Sequence, residues 1–140
     1  MGDCVFCDIL AGTQQSSIVY RDDVCTAFMD IQPVNSGHVL VVPNRHAAFL
    51  ADLDEDTGAH MFRLAQRIAG SLRRSAIRCE GVNFFLADGE AAMQEVFHVH
   101  LHVFPRYTGD GFGLTFSPEY FHRPERSELD RVARLIGDNL

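Results

Sequence analysis

The sequence predicts an α+β domain: a mostly antiparallel sheet, a long helix and a C-terminal helix covering one face, and a strand of histidines on the open face. Three observations predict it. Short β-branched and aromatic runs are punctuated by turn residues, a 3.6-residue apolar repeat follows them, and a stretch of alternating histidine and apolar residues comes next. Ile18-Val19-Tyr20, Val24 to Asp30 and Val39 to Val42 read as three strands of an antiparallel meander. Asp22-Asp23 turns between the first two, and Gln32-Pro33-Val34-Asn35-Ser36-Gly37 loops before the third. From Asp54 to about Ala76 the apolar residues Met61, Leu64, Ala65, Ile68 and Leu72 recur every three or four positions, with Arg63, Arg67, Arg73 and Arg74 falling largely between them. That is an amphipathic helix. Val82 to Ala87 reads as a strand and Asp88-Gly89-Glu90 as a turn, and the histidine stretch runs up to Pro105. Residues 107–126 look irregular, and a last helix over 127–140 takes Ser127 as its N-cap. The chain reads as a single domain over 1–140.

Composition limits the function classes. A net charge of −7 argues against a nucleic-acid polymer or an anionic membrane as partner, because both reward clustered cations. Any phosphate must be small and held locally. Met1-Gly2-Asp3-Cys4-Val5-Phe6 carries neither a signal peptide nor a lipidation motif, and no run approaches about 18 apolar residues, so the expectation is a soluble cytoplasmic protein. The aromatic residues Phe84, Phe85, Phe112, Phe116, Tyr120 and Phe121 exceed what one small core needs, which points to a homodimer.

The histidine stretch Val96-Phe97-His98-Val99-His100-Leu101-His102-Val103-Phe104 is the most informative feature. Alternate residues of a strand share a face, so three imidazoles line one side while Phe97, Val99, Leu101 and Val103 line the other. One possible use is a catalytic zinc held by a His-x-His pair. However, same-face neighbours lie about 6.6 Å apart, so the outer two rings are about 13 Å apart and cannot easily share one ion. The other use is nucleophilic: a neutral imidazole can attack phosphorus, and the phosphoimidazole formed is then hydrolysed. His100, in the middle, fits that role.

Cys4-x-x-Cys7 stands apart from the isolated Cys25 and Cys79. It reads as a redox pair, as two solvated thiols, or as half of a metal site. A redox pair normally follows a strand and opens a helix, and neither is evident here.

His98-Val99-His100-Leu101-His102-Val103-Phe104 matches the pattern His-φ-His-φ-His-φ-φ, where φ is apolar, and so resembles the histidine triad family of nucleotide hydrolases and transferases. The likeness extends through Cys4-Val5-Phe6-Cys7-Asp8-Ile9, Ala27-Phe28-Met29-Asp30-Ile31, Gly37-His38-Val39-Leu40-Val41-Val42-Pro43 and Gln94-Glu95-Val96-Phe97, in the family's order. Pro105-Arg106 and Gly109-Asp110-Gly111-Phe112-Gly113 look like its bacterial zinc-containing branch. The resemblance implies cleavage at the α-phosphorus of nucleoside phosphoramidates, acyl-nucleotides or dinucleoside polyphosphates through a nucleotidyl-histidine. It makes His100 the nucleophile, with His102, His38 and Gln94 assisting at the phosphate. Asp30 would meet the ribose hydroxyls, Phe28 and Ile31 would line the pocket of a base, purine favoured, and Cys4, Cys7, His46 and His98 would hold a structural zinc. No organic cofactor is implied. The alternatives are a nucleotide-binding regulatory protein with incidental hydrolysis and a catalytic zinc hydrolase. This chain departs from the family pattern at Met93 (usually glycine), Glu95 (often serine) and Ala87 (commonly asparagine).

Overall fold

The structure is a computed structural model that describes residues 3–140; Met1 and Gly2, where a lipidation signal was sought, lie outside the described residues. It separates into two compact units, one ending at Asp110 and the other spanning Gly111–Leu140. The first unit holds helix α1 (Val5–Ala11), strands β1 (Ile18–Arg21), β2 (Cys25–Met29) and β3 (Val39–Pro43), helix α2 (Glu55–Arg74), and strands β4 (Gly81–Phe85) and β5 (Leu101–Arg106). The second holds a 3-10 turn at Pro118–Phe121 and helix α3 (Arg126–Gly137). The architecture is α+β, with five antiparallel strands in the order β1-β2-β3-β5-β4 and three helices.

The period-2 and period-3.6 patterns meet in one core. Val39 and Val41 of β3, Leu101 and Val103 of β5, and Val99 just before β5 face α2, whose Met61, Leu64, Ala65, Ile68 and Leu72 are all buried against them. Asp54 starts that helix by accepting the Thr57 amide at 3.0 Å, and Arg73 and Arg74 in its last turn suit the negative end of the helix dipole. On the opposite face Phe28, Leu40 and Val42 pack under Phe6 and Ile9 of α1. That helix was not evident in the sequence. Seven residues are too few to display a periodicity, and its cap is a cysteine, with Cys4 Sγ accepting the Cys7 amide at 3.3 Å. Gly12, at φ +80°, ends it in a left-handed turn.

Four expectations need correcting. The histidines do not all sit on a strand: β5 begins at Leu101, because β3 supplies a ladder partner only as far as Val41↔Leu101, and the Val99 amide turns instead to the Ala47 carbonyl at 2.8 Å. The chain bends over residues 96–98, so Phe97 leaves the core side and lies exposed against Phe49, while from His98 onward the alternation holds, with Val99, Leu101 and Val103 in the core. The histidine face is also not fully open, since α1 covers its near end and leaves His98 and His100 buried. Strand β4 stops at Phe85, which pairs with His102, and does not reach Ala87. Helix α3 starts one residue before Ser127, from an N-cap at Glu125 whose side chain makes no capping bond.

Candidate active site

A cavity of about 500 Å³ opens on the face opposite α2, with Asp30, His38, His100, His102, Phe85 and Glu95 among its lining residues. Each is delivered by a different local device. His100 is held by its own backbone neighbour: Nδ1 donates to the His98 carbonyl at 2.8 Å, which places the ring proton on Nδ1. Its Nε2 therefore keeps a lone pair, and that atom has no hydrogen-bond partner among the described residues. Burial lowers the His100 pKa against the opposing pull of the His98 carbonyl, Asp30 and Glu95, so the ring is neutral at pH 7.

His38, just before β3, and His102, on β5, meet because Leu40 pairs with His102 across the two strands. The Val34 amide donates to His38 Nδ1 at 2.9 Å, which makes His38 Nε2 the N–H that bonds His102 Nδ1 at 2.8 Å. His102 then carries its proton on Nε2. Asp30 closes the group: Oδ1 accepts the Gln32 amide at 2.8 Å, and Oδ2 lies 3.4 Å from His38 Nε2 and 3.9 Å from His102 Nδ1. Burial pushes the His102 pKa down to about 4, helped by the His100 and His38 rings and opposed by Asp30. Burial also lowers that of His38, again against Asp30. The result is a directional N–H relay from the Val34 amide to His102, with a carboxylate beside it.

The second histidine cluster has the opposite character. His98 donates from Nε2 to the Pro43 carbonyl at 2.8 Å, so its Nδ1 lone pair points elsewhere. It points at Cys4 Sγ (3.4 Å), Cys7 Sγ (3.6 Å) and His46 Nδ1 (3.2 Å), and Cys7 Sγ lies 3.4 Å from His46 Nδ1. A tetrahedral zinc with bonds of about 2.3 Å to sulfur and about 2.05 Å to nitrogen has S···N edges of about 3.5 Å and N···N edges of about 3.3 Å. The four residues therefore fit such an ion. Burial and then the neighbouring Cys4 push the Cys7 thiol up to about 11, so a thiolate here calls for a cation.

The remaining candidates divide. Phe28 is buried beneath the cavity while Ile31 is almost wholly exposed at its rim. Gln94 is buried, and its amide is occupied by the Gly89 N–H and by the Ala48 and Val96 carbonyls; it holds the chain entering the histidine stretch. Sequence reasoning missed two supports. Phe6 sets its ring edgewise to His98 and His100 at 5.9 and 5.1 Å, a contact hidden in an unrecognised helix. Asp110 clamps Arg106 in a bidentate pair (2.6 and 2.9 Å) and accepts from Asn35 Nδ2 at 2.8 Å, which ties the end of β5 to the loop that delivers His38. Asn35 sits among turn-forming residues, and that composition masked it.

Comparison with known proteins agrees with this geometry. Residues 11–109 match the HIT domain model. The Bacillus subtilis protein hit is 39% identical over 142 residues, covering 99% of this chain and 94% of that one. A zinc-bound histidine triad family protein from Mycobacterium smegmatis superposes with a TM-score of 0.77 at 37% identity, over 98% of each chain. A histidine triad nucleotide-binding protein from Candida albicans does so with a TM-score of 0.84 at 25% identity, over 97% of this chain and 96% of that one. The chain belongs to the histidine triad (HIT) family, whose members are generally nucleotide hydrolases and transferases. None of its helices is long and apolar enough to cross a membrane, among the described residues.

Proposed function

We propose that this protein cleaves nucleotide conjugates at the α-phosphorus, with His100 as nucleophile, and releases a nucleoside monophosphate. One observation carries the proposal: the His98 carbonyl fixes the proton of His100 on Nδ1 and leaves Nε2 as a lone pair in a cavity flanked by the His38–His102 relay. An anionic phosphoryl group in that cavity favours the protonated form of the His38–His102–Asp30 group, whose carboxylate lies 3.4 and 3.9 Å from the facing ring nitrogens, so substrate and a proton bind together. His100 Nε2 then forms a bond to phosphorus as the bond to the leaving group breaks, and His102 Nε2–H supplies the proton that the leaving atom needs. Water attacks next, gives its proton back to His102, and breaks the phosphorus–nitrogen bond to restore His100. Asp30 would accept from the ribose, and the Phe28 side of the cavity would hold a base, purine favoured.

Cys4, Cys7, His46 and His98 would hold one structural zinc in this reading. Four protein ligands leave no open position for a water, and the other group of candidate ligands, Asp30, His38 and His102, holds its two ring nitrogens 2.8 Å apart, a hydrogen-bond distance shorter than the about 3.3 Å edge between two nitrogens on one zinc, which makes a catalytic zinc hydrolase the weaker alternative. The zinc-bound mycobacterial relative and the nucleotide-binding Candida relative support the two halves of the proposal. The test is turnover of adenosine and guanosine conjugates, quenched rapidly at alkaline pH where phosphohistidine persists, then peptide mapping. A nucleotide on His100 is the expected result. A nucleotide on His102 or a carboxylate, or inversion at a chiral phosphorothioate, overturns it. The same preparation should sediment as a homodimer at micromolar concentration and contain one zinc per chain.

A further inference from the structure

We propose that Glu95 selects the leaving group, favouring a neutral or cationic one, such as an amine carrying a distal ammonium, over a polyanionic one such as a polyphosphate. The inference rests on the reaction proposed above and concerns which conjugates that reaction accepts. Its first ground is the charge inventory of the cavity. The lining carries two carboxylates, Asp30 and Glu95, and neither arginine nor lysine; the chain holds no lysine at all. A polyphosphate leaving group develops charge on oxygens beyond the α-phosphorus, and stabilising it takes an Arg, Lys or metal clamp at that point. His100 and His102 can serve the α-phosphoryl group, with His38 behind His102, but among the described residues nothing in the lining serves a charge further out.

The second ground is the position of Glu95. It lines the cavity together with His100, and it also lines the neighbouring groove, whose walls are Asp3, the Cys4, Cys7 and His46 side of the metal-type cluster, and the apolar Val5, Ala48, Val96 and Phe97, so it stands where the two meet. A leaving group extending from phosphorus into that groove passes this carboxylate first and then meets a mixed wall that holds Asp3 and neither arginine nor lysine. Its backbone is held in place as well. Gln94 is anchored by three hydrogen bonds on one side, and Val96 accepts one of them on the other. The side chain is exposed and ion-paired to nothing among the described residues, which leaves its charge available to a ligand. An ammonium gains from that charge and an anion is repelled by it.

The test compares three adenosine 5′-phosphoramidates that share the same reacting nitrogen and differ at the far end of a propyl chain: ammonium, methyl and carboxylate. Rates are measured on the full-length, metal-replete protein, with the methyl compound as reference. In the wild type, kcat/KM for the ammonium compound should exceed that for the carboxylate compound by about tenfold or more, and added salt should shrink the ratio. Glu95→Gln should lower the ratio several-fold, the remainder being the share of Asp30 and Asp3, and Glu95→Arg should lower it further. A ratio that Glu95→Gln leaves unchanged, or a wild type that prefers the carboxylate compound or a dinucleoside polyphosphate, overturns the proposal. If no conjugate turns over, the proposed reaction fails by itself. The three compounds are then ranked by displacement of a fluorescent nucleoside monophosphate, and a ranking that ignores charge or is indifferent to Glu95→Gln still overturns the role of Glu95.

Discussion

Two histidine clusters lie at the two ends of one five-residue stretch, and they differ in where their protons point. In the Cys4–Cys7–His46–His98 cluster, the Pro43 carbonyl accepts the His98 N–H, and His98 Nδ1 converges with Cys4 Sγ, Cys7 Sγ and His46 Nδ1 at 3.2–3.6 Å. Such an arrangement calls for a cation. In the Asp30–His38–His102 cluster, every ring nitrogen that faces a neighbour is matched donor to acceptor, starting from the Val34 amide. Such an arrangement fixes the tautomer of both rings and leaves the His102 Nε2–H to the cavity. His100 lies between them and borrows from the first, because its Nδ1 is held by the carbonyl of His98, whose own ring belongs to the metal-type cluster. The clusters differ in the company the histidines keep, two cysteines against one aspartate, and in the backbone group that claims a nitrogen of His98 in one and of His38 in the other.

The sharpest break of this comparison is His100→Ala. It should lower kcat by several orders of magnitude while nucleoside monophosphate still binds, since a nucleophile acts in the transition state. His102→Ala should cost about 10²- to 10⁴-fold, the range of a proton carrier. Steady-state rates beside a binding titration check both, and equal losses in the two variants would erase the division of roles.

Cys4→Ser attacks the other cluster. Its zinc content should fall from one per chain to none, and its melting temperature should drop by well over the ~4 °C that about 1 kcal/mol produces in a domain of this size. Hydrolysis should persist at a reduced rate, because His98 and its carbonyl lose one support while the relay keeps its own. Calorimetry with metal analysis tests this, and complete loss of turnover in a folded variant would mean that the metal takes part in the chemistry.

Acid probes the Asp30–His38–His102 cluster by another route. Burial holds the pKa of His38 and His102 below the ordinary value of 6.5, that of His102 at about 4, so the unfolded chain binds protons that the folded one refuses. The contribution is complete above pH 6.5 and is lost as the pH falls through about 4. Urea unfolding across that window should therefore show stability rising with pH, with a shallower slope in His102→Gln. An unchanged slope would remove His102 from the balance.

The smallest effect belongs to Met93, the one non-glycine residue with positive φ among those described (φ 71°), at the position where the family usually has glycine. A left-handed residue costs about 1–2 kcal/mol. The Met93 side chain is 70% exposed, so Met93→Gly forfeits little burial, although glycine's extra backbone freedom offsets part of the gain. A net stabilisation under about 1 kcal/mol is expected from denaturant titration. A loss of stability would show that the methionine is held there by packing instead.

Much of the fold was legible because it rests on repeats that the sequence displays. Met61, Leu64, Ala65, Ile68 and Leu72 announce α2 by spacing alone, and Val99, Leu101 and Val103 announce the buried side of the histidine stretch. Helix α1 was illegible, being two turns long and capped by a cysteine, and so was the covering of His98 and His100 that follows from it. The candidate site residues were nameable from the triad pattern and the resemblance it carries. Phe6 and the Asn35–Asp110–Arg106 clamp were not, because each acts through a partner that is distant in the chain.

The sequence by itself determined which histidines share a face, since a period of two is a property of the extended chain whatever surrounds it. It could not determine which of them holds a proton to give and which a lone pair. That was decided by the Pro43 carbonyl, the His98 carbonyl and the Val34 amide, and only the folded backbone brings the first of these to a ring 55 residues away. Imidazole chemistry depends on which nitrogen is protonated, and that choice is made by a hydrogen bond whose partner the tertiary structure supplies.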